Sequence, residues 1–337
     1  MKHPIALAWL IFSCSLASAQ TDSCITNLKN AGSNFEQGKY DQTIDILNAT
    51  VKDCDLSKQD MIEANKLLIL AYLAIDNLEA ADKTAAAIMK TDPEYKPDKF
   101  RDDPGLSALF EKYKPQPMLT VGISGGINWP SIHVGHTYSV VHADDDPDLG
   151  SYESVIKYQL GAYAEYRLYR DLWLTPEIQF RKTSYEHTLN EVQGATIHYS
   201  ENISYLEIPL SLKYYFLHGP ISPYVQAGAD FCWILQALST TSREGESDLV
   251  DRTDLRTSYM TGFFGAAGLS YGFKGNRVFA DFRYLYFHDP VNKDGTRYAD
   301  EVNLYKYYYI DDDFRMDNLQ FNIGFSHVLS YAIRKTQ

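Results

Sequence analysis

His198, Tyr199 and Ser200 are the sequence's nearest approach to a catalytic pair, a base two residues from a hydroxyl, an arrangement that can activate serine toward a lipid ester. A three-residue match of this kind arises often by chance, and the residues around it read as a loop entering a strand. A His-Glu-x2-His metal motif, a Gly-rich phosphate loop, a Cys-x2-Cys pair and a nucleophile elbow are all absent from the sequence. The acidic runs Asp144-Asp145-Asp146-x-Asp148 and Asp311-Asp312-Asp313 offer the oxygen ligands calcium takes, but in no defined calcium-loop spacing. A solvated, self-repelling surface loop accounts for both runs. Tyr305, Tyr307, Tyr308 and Tyr309 form an aromatic cluster that suits either an outer binding surface or a membrane-interface belt. The expectation is therefore a chain with no catalytic, cofactor-binding or metal-binding residues.

Composition narrows the class. Forty-four acidic against thirty-one basic residues leave a net charge of -13 in 337 residues, too acidic to assemble a phosphate-neutralising face, so nucleic acid is not expected as a partner. With 22% charged residues and a mean hydropathy of -0.32, no run approaches the roughly 20 apolar residues of a membrane helix. Twenty-six Tyr, sixteen Phe and four Trp make 14% aromatic, an excess typical of interface-anchored β proteins.

Residues 1–19 read as a secretory signal: Lys2, the apolar stretch Ile5 to Phe12, and Ala17-Ser18-Ala19 as the cleavage site. Cys14 would permit a lipoprotein reading, in a poor lipid-attachment context. Cys24 and Cys54 lie fifteen residues either side of Lys39, and Gly38-Lys39 looks like the turn of a helical hairpin. A disulfide across the open end of that hairpin suits an oxidising periplasm, while Cys232 is left as an odd, buried thiol. Helical spacing runs from about Ser23 to Lys90 and predicts four helices. Ala31-x3-Phe35-x2-Gly38-x-Tyr40 resembles a tetratricopeptide unit, and a weaker copy passes through Ala64, Leu68, Tyr72, Leu78 and Ala81. Phe35, Gly38, Tyr40 and Tyr72 are its expected packing residues. A small four-helix bundle is the other reading. The predicted domains are thus a helical one over 20–90, a Pro-rich linker with one short helix over 91–117, and a strand-built one over 118–337.

Beyond residue 117 the period becomes two. Tyr158, Leu160, Ala162, Ala164, Tyr166 and Leu168 alternate with Gln159, Gly161, Tyr163, Glu165 and Arg167, and Leu206 to Phe216 repeats the pattern. Eight strands are predicted, joined by tight turns at 169–171, 217–222 and 274–276, and by long polar loops at 130–153, 189–202, 243–258 and 289–315. Short turns on one rim, long loops on the other and an even strand count predict an eight-stranded antiparallel transmembrane β-barrel in the cell outer membrane. Glu165, Arg167, Glu177, Arg181, Glu207, Lys213, Asp230, Asp281 and Arg283 all fall on the polar face, which must then be the inner one. Eight strands leave room only for side chains, so these charges are expected to pair and plug the lumen. The tyrosines are expected at the two membrane interfaces, and bulges are expected to absorb Pro176 and Pro209.

The stretch Tyr205-Leu206-Glu207-Ile208-Pro209-Leu210-Ser211-Leu212-Lys213-Tyr214-Tyr215-Phe216, followed by Pro223-Tyr224-Val225-Gln226-Ala227-Gly228, resembles the PorT-like outer-membrane β-barrel family of Bacteroidota over roughly residues 118 to 329. The front portion resembles helical modules that precede envelope domains in that phylum, through Cys24, Phe35-x2-Gly38-x-Tyr40, Cys54, Asp92 to Pro97 and Asp103-Pro104. One departure is the end, because twelve residues follow Phe325 where such strands commonly finish on a terminal aromatic. The resemblance implies a non-enzymatic barrel set among outer-membrane lipid and lipopolysaccharide. Its periplasmic helical domain would dock a protein partner of a secretion, gliding or surface-assembly machinery. Surface binding or adhesion through long extracellular loops is the alternative, with a small pore or a lipid-modifying enzyme behind it.

Overall fold

The computed structural model describes residues 23–98, 100–140, 150–192, 194–217 and 219–335; the expected signal segment 1–19, Cys14 and the acidic run 144–148 lie outside the described residues. The chain divides into two compact units, one running to Gln116 and including the stretch from Tyr331 onward, the other spanning Pro117–Ser330.

The first unit is helical: α1 over residues 23–36, α2 Tyr40–Asp53, α3 Lys58–Ala74, α4 Leu78–Thr91 and α5 Pro104–Phe110. Side-chain oxygens of Ser57 and Asn77 accept the backbone N–H of Asp60 and Ala80, satisfying donors that α3 and α4 would otherwise leave open. Gly38 makes the turn between α1 and α2 at φ +74°, a conformation that costs glycine nothing. Beside it Phe35 and Tyr40 pack edge to face with centroids 5.5 Å apart. Ala31, Leu47, Ala64 and Leu68 form the small core, with Tyr72 packed on it and its hydroxyl accepting from Asn48 at 3.2 Å. Cys24 and Cys54 are disulfide-bonded, their Cα atoms 6.0 Å apart. No described helix is long and apolar enough to cross a membrane.

The Pro-rich segment 91–117 carries the short helix α5 and packs against α3 and α4. Tyr95, Phe110 and Tyr113 join Ile69, Ile88 and Leu106 in one core, and the Tyr113 hydroxyl donates to the Asp82 carbonyl at 2.9 Å. The apolar area of three rings outweighs the tendency of the prolines to keep the chain extended. The residues after Phe325 also have a place: the last strand runs on to Lys335, Ile333 packs on this same core, Tyr331 donates to Glu94 at 3.0 Å, and Lys335 pairs with Asp82.

Among the described residues the second unit is built on ten strands: β1 Tyr113–His136, β2 Ser151–Val155, β3 Lys157–Tyr169, β4 Leu172–Val192, β5 Ala195–Tyr215, β6 Ile221–Arg243, β7 Glu246–Asp251, β8 Tyr259–Phe273, β9 Asn276–Phe287 and β10 Asp313–Lys335. Eight of them close a ring in the order β1, β3, β4, β5, β6, β8, β9, β10, while β2 and β7 pair outside it with β4 and β6. Arg170 at φ +44°, and Lys274 and Gly275 at +43° and +71°, form tight turns on one rim.

The other rim differs from expectation. Residues 189–202 are a hairpin rather than a loop, since β4 and β5 continue to Val192 and from Ala195. β6 likewise turns at Glu244-Gly245 into β7. Here the outward positions become polar while the inward ones become aromatic, which hides the alternation from a reading that seeks an apolar outer stripe. No register shift falls at Pro176 or Pro209; the β5–β6 bulge lies at Ser204/Tyr205 instead. Each proline forfeits a ladder bond and the strands stay in step.

Ile123, Leu160, Ile178, Leu212, Phe263 and Phe282 are exposed on the outer face of the ring, which marks a lipid-facing surface. The outward positions from Leu206 to Phe216 carry no charge. At ~3.3 Å per residue and ~40° tilt they span about 25 Å, the height of a barrel's apolar band. Phe180 pairs with Leu206 at its edge, and two residues on Lys182 pairs with Ser204. Trp233 and Tyr259 pack together at that level, with centroids 5.2 Å apart. The ring therefore continues past the apolar band as a polar-walled extension.

Candidate functional site

Two clusters fill the ring, one inside the apolar band and one in the extension. In the first, the Lys213 Nζ donates to Glu165 at 2.6 Å, Tyr215 donates to the same carboxylate at 3.2 Å, and Arg277 reaches it at 3.4 Å. Arg181 Nε donates to Glu207 at 2.7 Å and its Nη1 to Thr183 at 2.6 Å. Arg283 Nη2 donates to both oxygens of Glu177, at 2.9 and 3.1 Å. β4 and β9 stand on opposite sides of the ring, so this last pair crosses the lumen. Asp281 accepts from Tyr224 at 2.8 Å and from Asn322 at 3.0 Å. The space that Glu177, Lys213, Gln226, Asp281, Arg283 and their neighbours leave is about 10 Å³, close to the minimum for a single water.

Two of the nine expected interior charges stand apart. Arg167 lies at the tight-turn rim, 3.9 Å from Asp171, because β3 ends there in a bulge. Asp230 is buried, and its Oδ1 has no hydrogen-bond partner among the described residues. Arg277, absent from the expected set, has the same strand parity as Asp281 and Arg283, so the alternation contains it. Cys232 is free and buried, its sulfur 3.7 Å from Glu207.

The second cluster was not legible as a site. Arg256 is 1% exposed. Its Nε donates to Glu201 Oε1 at 2.8 Å, its Nη1 to Asp311 at 2.8 Å and Asn292 at 2.6 Å, and its Nη2 pairs with Glu201 Oε2. Arg252 meets Asp311 at 2.7 Å and Asp300 at 3.2 Å. Tyr185 and Tyr199 donate to Glu201 at 2.6 and 2.8 Å. These residues tie the segment between β7 and β8 and the one before β10 to the walls of β4 and β5, forming a cap. Tyr309 stacks on Tyr199 with centroids 4.4 Å apart, and Tyr152 stacks on His187 at 3.8 Å.

The run Asp311 to Asp313 is thus no solvated loop. Burial by itself would push the Asp311 carboxyl up, but the guanidiniums of Arg252 and Arg256 outweigh it and hold the group below the ordinary carboxylate range. Burial pushes Asp312 up, its partners being the neutral Tyr152 hydroxyl at 2.8 Å and the Tyr138 N–H at 3.0 Å. Asp313 takes Arg297 at 2.6 Å. Among the described residues no group of three or more His, Cys, Asp or Glu is placed to hold a metal ion.

The tyrosines divide: Tyr158, Tyr166, Tyr214, Tyr259 and Tyr271 are exposed on the outer face, whereas Tyr185, Tyr199, Tyr205, Tyr224, Tyr307 and Tyr309 are buried. A buried ring that can still donate a hydrogen bond is what an interior lined with carboxylates needs. Tyr305 stays exposed, so the aromatic cluster of the last loop is split between core and surface. His198 lies within β5, with its Nδ1 3.3 Å from Thr188 Oγ1, and is not in a loop entering a strand.

No curated protein matches the chain. Similar solved structures include the outer membrane protein OprG from Pseudomonas aeruginosa, at 14% identity over 63% of this chain and 96% of that one with a TM-score of 0.36. Neisserial surface protein A gives 15%, 63%, 97% and 0.32, and the outer membrane protease OmpT from Escherichia coli gives 8%, 64%, 95% and 0.28. At these values the likenesses say nothing of what the chain does. A family model described as an outer membrane protein beta-barrel domain matches residues 110–286, more than half of the chain. With a closed ring, an apolar outer band and a charged interior, the chain belongs to the outer membrane protein beta-barrel domain family.

Proposed function

We propose that the chain is a non-conducting, non-enzymatic outer-membrane anchor whose helical unit docks a protein partner in the periplasm. The Arg283–Glu177 pair across the lumen carries the first half of this reading, since a ring closed by its own side chains is suited to holding a protein in the membrane rather than passing solutes. The second half is supported by a cavity of about 370 Å³ in the helical unit, lined by Pro93, Tyr95, Pro97, Phe110, Tyr113 and Pro115, a composition that receives an extended peptide or a helix. The long-strand rim then faces outward among lipopolysaccharide. Kinship with PorT-like barrels and with tetratricopeptide modules belongs to the same proposal, and would attach the protein to an envelope secretion or assembly machinery.

Photo-crosslinkers at Lys96 and Glu111, tested in native membranes against others at Asp294 and Tyr305, distinguish the readings. Adducts with an envelope protein are expected from the first pair. Adducts from the second pair only would replace docking with surface binding or adhesion through the outer loops.

A further inference from the structure

A cavity of about 290 Å³ opens beside the cap, walled by Arg252, Leu255, Arg256, Pro290, residues 292–298, Asp311 and Asp313. Its floor is fixed by the buried ion pairs of Arg252 and Arg256. One wall is Arg297, which lies 3.5 Å from the centroid of the Tyr138 ring and donates to both oxygens of Asp313, at 2.6 and 2.7 Å. Leu255 and Pro290 supply apolar patches, and Tyr298 stands at the rim, 64% exposed. Lys293 and Asp294 are exposed at the same rim, with no side-chain partner among the described residues.

Charge decides the class of ligand. The four cations of the lining are met by Asp294, Asp311 and Asp313, with Glu201 and Asp300 behind the floor. An anion therefore finds no net positive field, and each guanidinium of the lining is already paired with a carboxylate through at least one nitrogen. Among the described residues a metal ion finds no suitable carboxylate group. What fits is an uncharged molecule carrying both donors and acceptors, with a face that can lie against an aromatic ring. The volume is at the small end of the roughly 300–1,000 Å³ usual for ligand pockets.

We propose that this cavity binds an uncharged saccharide unit, with Tyr298 as the stacking platform and Lys293, Asp294 and Asp313 as hydroxyl partners. The proposal goes beyond the docking role and stands or falls without it, since it involves no residue of the helical unit. The test is saturation-transfer NMR on the full chain in lipid nanodiscs, which avoids sugar-based detergents. The probes are glucose, galactose, mannose and N-acetylglucosamine, with a sulfated disaccharide as the anionic counterpart. At least one neutral sugar is expected to bind in the millimolar range, and Tyr298→Ala, an exposed change that leaves the cap's ion pairs in place, should weaken it roughly tenfold. Asp294→Asn should weaken it less. Any of three results would overturn the proposal: no neutral sugar binds, Tyr298→Ala leaves binding unchanged, or the sulfated disaccharide binds more tightly and in a salt-dependent way.

Discussion

Arg256→Ala is expected to loosen the cap by about 3 kcal/mol or more, because it leaves a buried carboxylate short of its cation on each side. Glu201 would keep the hydroxyls of Tyr185 and Tyr199, and Asp311 would keep Arg252, which places the effect at the lower end of the range for broken buried pairs. Limited proteolysis should then cut within residues 252–258 and 289–312 while the ring stays closed. Lys306→Ala, which removes an exposed pair with Asp248, should change little by comparison. The pH dependence has a definite sign. A carboxylate whose folded value is depressed stabilises fully above its unfolded value, and loses that contribution as pH falls through the folded one. Asp311 is such a group, so it releases the cap only in acid below the ordinary carboxylate range. With one guanidinium removed, release should move to higher pH. An unchanged cleavage pattern and acid midpoint would show that Arg256 does not hold the cap.

The second large effect is expected in the helical unit. The Cys24–Cys54 bond closes a loop with a sequence separation of 30, which should stabilise by roughly 3–4 kcal/mol in the chain-entropy account. The core around Ala31, Leu47, Ala64 and Leu68 is small, so that contribution is a large share of what holds α1 to its neighbours. Cys24→Ser or Cys54→Ser should make the helical unit protease-sensitive and weaken partner capture, with the barrel still inserted. Mass spectrometry of the non-reduced protein checks the bond itself. Free thiols at both positions, or loss of the barrel in either variant, would contradict this account.

How much of this was legible depends on contrast between faces. Within the apolar band, outward Leu206, Ile208, Leu210 and Leu212 frame inward Glu207, Ser211 and Lys213, so strand, face and interior charge can all be read from alternation. Beyond Ser204 that contrast reverses: inward Tyr199, Ile203 and Tyr205 face outward Ser200, Asn202 and Ser204, and the segment reads as a loop. The cap cluster is harder still. Glu201, Arg252, Arg256, Asp300 and Asp311 come from three separate segments of the chain, and only the folded ring brings them within hydrogen-bond reach. An acidic run such as Asp311 to Asp313 looks solvated until the arginines that neutralise it are placed. In the segment 91–117 the packing is hidden for the opposite reason, because its prolines are conspicuous and the contact of Tyr95 with Phe110 is not.

The account rests on a lumen closed by its own side chains, and planar-bilayer recording of the pure full-length protein tests that most directly. With Arg283 on Glu177 across the ring and about 10 Å³ left beside them, no steady single-channel conductance of porin size is expected. Large, stable conductance steps that scale with the amount of protein would contradict it, since they require an open lumen where the structure has that pair.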